Sequence, residues 1–348
     1  MRLRRSDCSA PGIRRRRAGR GFTYVDSCGQ RVTDAEVVER IRALVIPPAW
    51  TDVWICIDPR GHIQATGIDD RGRKQYRYHD YWRQRRDREK FDHMLEFARA
   101  LPALRERVAA DLSLPDLPRA RVLACAVRLL DHGLFRIGSE GYAEENQTFG
   151  LATIEKRHVR VLAGGRIEFD YDAKSGKHRT HRIVDTEASA VIEALKRRRG
   201  GKSELLAWRR GRVWVDVRSV DINAYIKEVT GGDYTAKDFR TWGATVIAAM
   251  ALSVSTAATT PNGRKRAIIR AVKEVAYYLG NTPAVSRSSY IDPRVIDRYS
   301  AGETVAAELE RLGYVPDPDE SDSGLIMHGP IEAALLELLD AAPMPRAA

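Results

Sequence analysis

Residues 264–290 read RKRAIIRAVKEVAYYLGNTPAVSRSSY. Ile268, Ile269, Val272, Val275, Ala276 and Leu279 recur at three- and four-residue spacing, which predicts a helix over 264–279 that buries all six. Gly280 stands where a left-handed residue ends a helix. A second, short helix starts near Pro283. The stretch sets an amide, Asn281, and a phenol, Tyr290, nine residues apart among basic residues. Tyrosine is a poor nucleophile at its ordinary pKa of about 10. It becomes useful when cations stabilise charge on the phosphate it attacks. Taken alone, such a Tyr is usually structural.

Upstream lies a second basic segment, Lys237-Asp238-Phe239-Arg240-Thr241-Trp242-Gly243, in a region of helices from 184 to 280. Before it, RVLAGGRIEFDYDAKSGKHRTHRIVD reads as strands with turns at Gly164-Gly165 and Lys174-Ser175-Gly176. Residues 120–135 form an amphipathic helix on Val122, Leu123, Ala126, Val127 and Leu130. The charged run from about 80 is also helical, with Phe91, Met94, Leu95 and Ala98 on one face. A linker fits near 82–90. Residues 21–85 differ: short apolar runs alternate with turns at Cys28–Gln30 and Asp58-Pro59-Arg60-Gly61, around a helical patch near 34–43. The fold class is therefore α+β. A small β-rich N-terminal domain (21–85) precedes a larger, mostly α-helical domain (86–348) with a β-hairpin or three-stranded region.

The 348 residues carry 58 Lys and Arg against 47 Asp and Glu, a formal charge of +11. Residues 1–20 hold eight arginines and one aspartate, and read as a flexible basic arm. Residues 301–348 hold two arginines against ten acids, with a short helix expected over Pro330–Asp340 and a solvated DPDESD loop before it. The body between, with 48 basic and 36 acidic residues, is basic without help from the arm. Such a body suits a polyanion, most often nucleic acid. Hydrophobic residues at 43% and charged residues at 30% exclude a disordered chain. No apolar run approaches the roughly 18–20 residues of a membrane span. The first twenty residues have no apolar core of a secretory signal. Cys8, Cys28, Cys56 and Cys125 are too few and too scattered for a disulfide framework or a zinc site. A reducing, cytoplasmic and nucleoid-associated protein is expected. There is no G-x-x-x-x-G-K-[ST] nucleotide loop and no compact acidic cluster of a two-metal nuclease.

Five ordered segments resemble the type IB DNA topoisomerases, of the compact poxvirus and bacterial kind. They are Phe135-Arg136-Ile137-Gly138; Tyr142-x-x-Glu145-Asn146-x-Thr148-x-Gly150-Leu151-x-Thr153; Phe169-Asp170-Tyr171-Asp172-Ala173-Lys174-Ser175-Gly176; the Lys237–Gly243 segment; and Gly280-Asn281-Thr282-Pro283 ending at Tyr290. IPPAW-TDVWI, HIQATG and Gly72-Arg73-Lys74-Gln75-Tyr76-x-Tyr78 extend the likeness to the N-terminal domain, so that it covers nearly all of 21–300.

The resemblance implies the catalytic fold shared with tyrosine recombinases. It implies that Tyr290 attacks the scissile phosphodiester to form a 3′-phosphotyrosyl link. Arg136 and Arg240 would hold the non-bridging oxygens, a task suited to a planar, always charged guanidinium. Lys174 would protonate the leaving 5′-oxygen, with Lys177 as the nearby rival. Asn281 departs from the family, where many members have His. An amide can still donate to a phosphate oxygen but cannot shuttle a proton. Gln75, Tyr76 and Tyr78 would contact bases and backbone, and Lys237 would assist near the leaving group. The implied function is relaxation of positive and negative supercoils without ATP, metal or other cofactor, by a monomer closing as a clamp on duplex DNA.

Each residue also has a plainer reading. Arg136 suits a helix C-terminus, Lys174 an ordinary turn, Arg240 a surface pair with Asp238 or Glu228, and the two tyrosines a strand packing inward. A tyrosine recombinase is the first alternative. It usually carries His-x-x-Arg where this chain has Lys237-x-x-Arg240, and its N-terminal domain is helical. A non-catalytic duplex-DNA-binding protein is the second.

Overall fold

Ile13–Ala18, with sequence IRRRRA, is a β-strand, β1, and not part of a flexible arm. It pairs antiparallel with β2 (Gly21–Val25) on one side and β3 (Thr51–Ile55) on the other. Four consecutive arginines hide the alternation expected of a strand, but Ile13 enters the core. The Arg15 guanidinium donates to the carbonyls of Ile46 (3.1 Å), Pro47 (3.0 Å) and Trp50 (2.5 Å), and lies 4.1 Å from the Phe22 ring centroid. Even the first residues are tied down: the Ser6 hydroxyl donates to the Ile63 carbonyl at 2.9 Å.

In a computed structural model of the chain the described residues are 1–141, 147–255, 260–311 and 328–341. Tyr142, Glu145 and Asn146 of the family motif, and the DPDESD run, lie outside them. The chain divides into two compact units, Met1–Asp92 and His93–Ala348.

In the first unit β4 (Ile63–Ile68) and β5 (Lys74–Tyr78) complete an antiparallel sheet of order β2-β1-β3-β4-β5. Helix α1 (Ala35–Ala43) is N-capped by Asp34 and packs Ile41 against Ile13, Val53, Ile55 and Ala65. The division falls inside helix α2 (Asp80–Leu112), just beyond the 82–90 stretch where a linker was expected. The charged run stays helical through pairs three and four residues apart, Arg85 and Arg86 with Glu89 and Lys90 with Asp87.

In the second unit α3 (Arg119–Gly133) precedes an antiparallel three-stranded sheet, β6 (Val159–Leu162), β7 (Arg166–Ala173) and β8 (Lys177–Val184). Then follow α4 (Thr186–Arg197), a small hairpin of β9 (Ala207–Arg210) and β10 (Val213–Asp216), and α5 (Ser219–Thr230). Helix α6 (Ala236–Ser253) is buried from Phe239 onward on every face, so it is the core of this unit. It starts at a capping box: Asp238 accepts from the Thr235 N–H at 2.8 Å while Thr235 accepts from Lys237. Around it lie α7 (Pro261–Leu279), α8 (Pro283–Ser289), α9 (Pro293–Ala301), α10 (Ala306–Arg311) and α11 (Pro330–Asp340). Helix α7 buries Val272, Val275, Ala276 and Leu279 as expected, but Ile269 is 44% exposed and Ile268 only half-buried. The apolar stripe of α7 is narrower than its sequence suggests.

Candidate active site

The last turn of any helix leaves carbonyls without intrahelical partners, and they carry the negative end of the helix dipole. At the end of α7 three consecutive carbonyls are taken by three different arginines. Arg179 Nη2 donates to Tyr278 at 2.8 Å, Arg240 Nη2 to Leu279 at 2.9 Å, and Arg136 Nη2 to Gly280 at 3.2 Å. Arg240 is placed by the first turns of α6, and its Nη1 also donates to the Leu134 carbonyl at the end of α3. Arg136 follows two residues later on that segment. Arg179 comes from β8, opposite Tyr171 of β7. Gly280 permits the convergence. Its φ of +61° is left-handed, and a Cβ there would lie 1.8 Å from Arg179 Nη1.

Among the described residues none of these three cations has a carboxylate partner. Arg240 is 4% exposed. Burial, and then the charges of Arg136 and Arg179 against an opposing pull from Tyr290, lower its pKa to about 10. It is still a cation at neutral pH. Arg179 is also lowered, by burial first and by Arg136.

Asn281 joins the cluster through its Oδ1, which accepts from Arg136 Nη2. Arginine has only donors, so the amide is oriented with its oxygen toward Arg136 and its NH₂ away. That Nδ2 is buried and has no partner among the described residues, and so is Arg240 Nε. A buried polar group without a partner costs about 1–3 kcal/mol. Two such donors beside unneutralised cations call for an anion with several acceptor oxygens.

Tyr290 ends α8, whose start is fixed by the Thr282 cap and Pro283. The Tyr290 N–H donates to Ser286 at 3.1 Å, and its carbonyl lies 3.3 Å from the buried Thr245 hydroxyl on α6. Its ring centroid is 5.4 Å from Arg240 Cζ. The structure thus brings Arg136, Arg240, Asn281 and Tyr290 together.

Lys174, Lys177 and Lys237 make no hydrogen bond or ion pair with that cluster among the described residues. Lys174 is exposed in the turn between β7 and β8, with no hydrogen bond or ion pair among the described residues. The residue before it, Ala173, is buried and lines the same small cleft as Arg136, Tyr171, Arg179 and Arg240. Lys177 is exposed at the start of β8. Lys237 is exposed in the first turn of α6. In the first unit, Tyr76 and Tyr78 do not pack inward. They are 44% and 37% exposed on the edge strand β5, with ring centroids 6.1 Å apart. Gln75 donates to Asp69 at 2.9 Å.

Sequence reasoning missed Arg179 and its partner His181. The signal was the period of two in β8, which puts both on one face of the strand. Asp131, His132 and His328 also group donor atoms of the kind a metal takes, within 4.8 Å of one another. However, both Asp131 oxygens already accept from Arg105, at 2.7 and 3.0 Å.

A family model described as the catalytic core of eukaryotic DNA topoisomerase I matches residues 79–311. One described as the N-terminal domain of bacterial DNA topoisomerase IB matches residues 21–69. DNA topoisomerase 1B of Acanthamoeba polyphaga mimivirus is 31% identical over 303 residues, covering 83% of this chain and 87% of that protein. DNA topoisomerase 1 beta and 1 alpha of Arabidopsis thaliana are each 25% identical over 203 residues, 58% of this chain and 21% of theirs.

Proposed function

We propose, for a chain that belongs to the type IB DNA topoisomerases, that it relaxes positive and negative supercoils through a covalent bond to Tyr290. It is a DNA-binding isomerase by family, and the finer claim concerns how the site works. In this reading the Tyr290 phenol gives up its proton to water as its oxygen attacks a backbone phosphorus. The bond to the 5′-oxygen breaks, leaving a 3′-phosphotyrosyl strand and a free 5′-hydroxyl. Arg136 and Arg240 hold the non-bridging oxygens, whose charge grows in the transition state. Asn281 donates its NH₂ to one of them. Lys174, next to cleft-lining Ala173, gives the 5′-oxygen its proton, with Lys237 assisting. The free end swivels and the reverse reaction reseals it. The phosphotyrosine link keeps the free energy of the phosphodiester, so neither ATP nor a metal is needed.

The observation that carries this reading is the pair of buried donors without partners among the described residues, Asn281 Nδ2 and Arg240 Nε, in a cluster of three guanidiniums of which Arg240 lies beside the Tyr290 ring. The exposed Tyr76 and Tyr78, on one face of β5, support a second duplex contact in the N-terminal unit, with half-buried Gln75 on the strand's other face. The enzyme would work as a monomeric clamp, built on the catalytic fold shared with tyrosine recombinases, in a reducing, DNA-containing compartment. The test is relaxation of positively and negatively supercoiled plasmid in chelator and without ATP. Both should relax. Strand exchange between two specific sites, with no relaxation, would replace this reading with a recombinase.

A further inference from the structure

The pocket holds one more cation than the reaction above uses. Arg179 Nη2 spends both of its hydrogens inside the protein, on the Tyr278 carbonyl at 2.8 Å and on His181 Nδ1 at 3.1 Å. Because arginine only donates, His181 Nδ1 must accept, so this imidazole is neutral. His181 in turn interacts with the Gly133 carbonyl, one residue before the Leu134 carbonyl that holds Arg240. Arg179 Nη1 packs on the Cα side of Gly280, where no side chain could stand. Arg179 therefore ties the end of α3 to the end of α7. It braces the three-residue strip, Tyr278 to Gly280, on which Arg240 and Arg136 are seated.

We propose that Arg179 is a positioning residue of the phosphate pocket, fixing the strip that aims Arg136, Arg240 and Asn281 and adding a third uncompensated positive charge beside the bound phosphate. This rests on the reading of the pocket as the scissile-phosphate site. Three guanidiniums with no carboxylate among the described residues repel one another in the free protein, and an anion relieves the repulsion. A merely structural arginine would leave the effect of an anion unchanged. The two roles therefore predict different effects of an anion.

The full-length chain and its Arg179→Gln and Arg179→Lys variants are compared in two measurements. The first is the thermal midpoint with and without inorganic sulfate. The second is single-turnover cleavage of a nicked-strand duplex at saturating enzyme. Expected for Arg179→Gln is a smaller upward midpoint shift with sulfate than in wild type, and cleavage slower by about 10- to 100-fold. Arg179→Lys should recover most of the sulfate shift and part of the rate, because it returns the charge without the fork. Cleavage within twofold of wild type in Arg179→Gln would overturn the proposal. So would a sulfate shift equal to wild type in that variant, or a Lys variant no better than Gln in both measurements. If wild type itself forms no covalent adduct, the Tyr290 reading fails, and the sulfate shifts still decide whether Arg179 belongs to an anion pocket.

Discussion

Two arginine clusters in the C-terminal unit are built on opposite plans. Arg105, from α2, is held by Asp131 at 2.7 and 3.0 Å and by Glu332 at 2.5 and 3.0 Å. Glu332 also accepts from Trp242 Nε1 at 2.6 Å. Burial works against the Arg105 charge, but its bonds to the two carboxylates raise its pKa overall, while His328 and Arg105 hold Asp131 low against its own burial. Every charge there has a partner, and the network ties α2, α3, α6 and α11 together. At the end of α7, the partners of Arg136, Arg179 and Arg240 among the described residues are carbonyls, an amide, a neutral imidazole and the Tyr290 side chain, with no carboxylate. A helix terminus offers about half a negative charge, far short of three cations. The first cluster is complete without a ligand and the second is not. Partnering by carboxylates, more than burial or residue type, separates these two clusters; Arg198, buried on four carbonyls at the end of α4, shows that carbonyl partners alone do not make a ligand site.

Substitutions can break that contrast. Arg240→Met should slow cleavage by about 10³-fold, the upper end for loss of one preorganised donor, while the protein stays folded. Arg105→Met should do the reverse. It strands two buried carboxylates and should cost about 3–5 kcal/mol in urea unfolding, with cleavage per folded molecule near wild type. Similar losses of stability in both variants would erase the distinction. Asn281→Ala removes a single neutral donor and should slow single-turnover cleavage by about 10²-fold. Cleavage near wild type would take Asn281 out of the site.

The smallest effect concerns pH. Burial first, and then the Arg179 and Arg240 charges, against a bond to Gly133, push His181 down to about 4 from its ordinary 6.5. Its ring also packs 4.8 Å from that of Phe135. The folded protein therefore binds fewer protons at this group than the unfolded chain. The stability it contributes is full above about pH 6.5 and is lost as pH falls toward about 4, at most about 3 kcal/mol. Unfolding curves of wild type and His181→Gln should converge over that window. A constant gap would show that the fold does not shift the His181 pKa.

Much of the site was legible because its chemistry clusters locally. Gly280-Asn281-Thr282-Pro283 with Tyr290 is one helix end plus one short helix, and Arg240 lies in the first turns of an obvious helix. What was not legible is non-local. Nothing in KHRTHR shows that Arg179 reaches a helix end 99 residues away, although the strand's alternation marks the face. The N-terminal arginines looked like a free arm because charge masks period-two patterning, and only the pairing with β2 and β3 reveals the strand. The turn holding Lys174 was read correctly, but the step from turn to proton donor rests on family resemblance and not on any contact among the described residues.

The central claim is that the unpartnered cluster serves a phosphate attacked by Tyr290. The most direct measurement is to denature the enzyme during turnover on plasmid and map the DNA-linked peptide by mass spectrometry. The account predicts a nucleotide adduct on Tyr290, attached through the 3′ end of the cut strand, and none in Tyr290→Phe, which should still bind duplex. An adduct on another residue, or relaxation that persists in Tyr290→Phe, would contradict it.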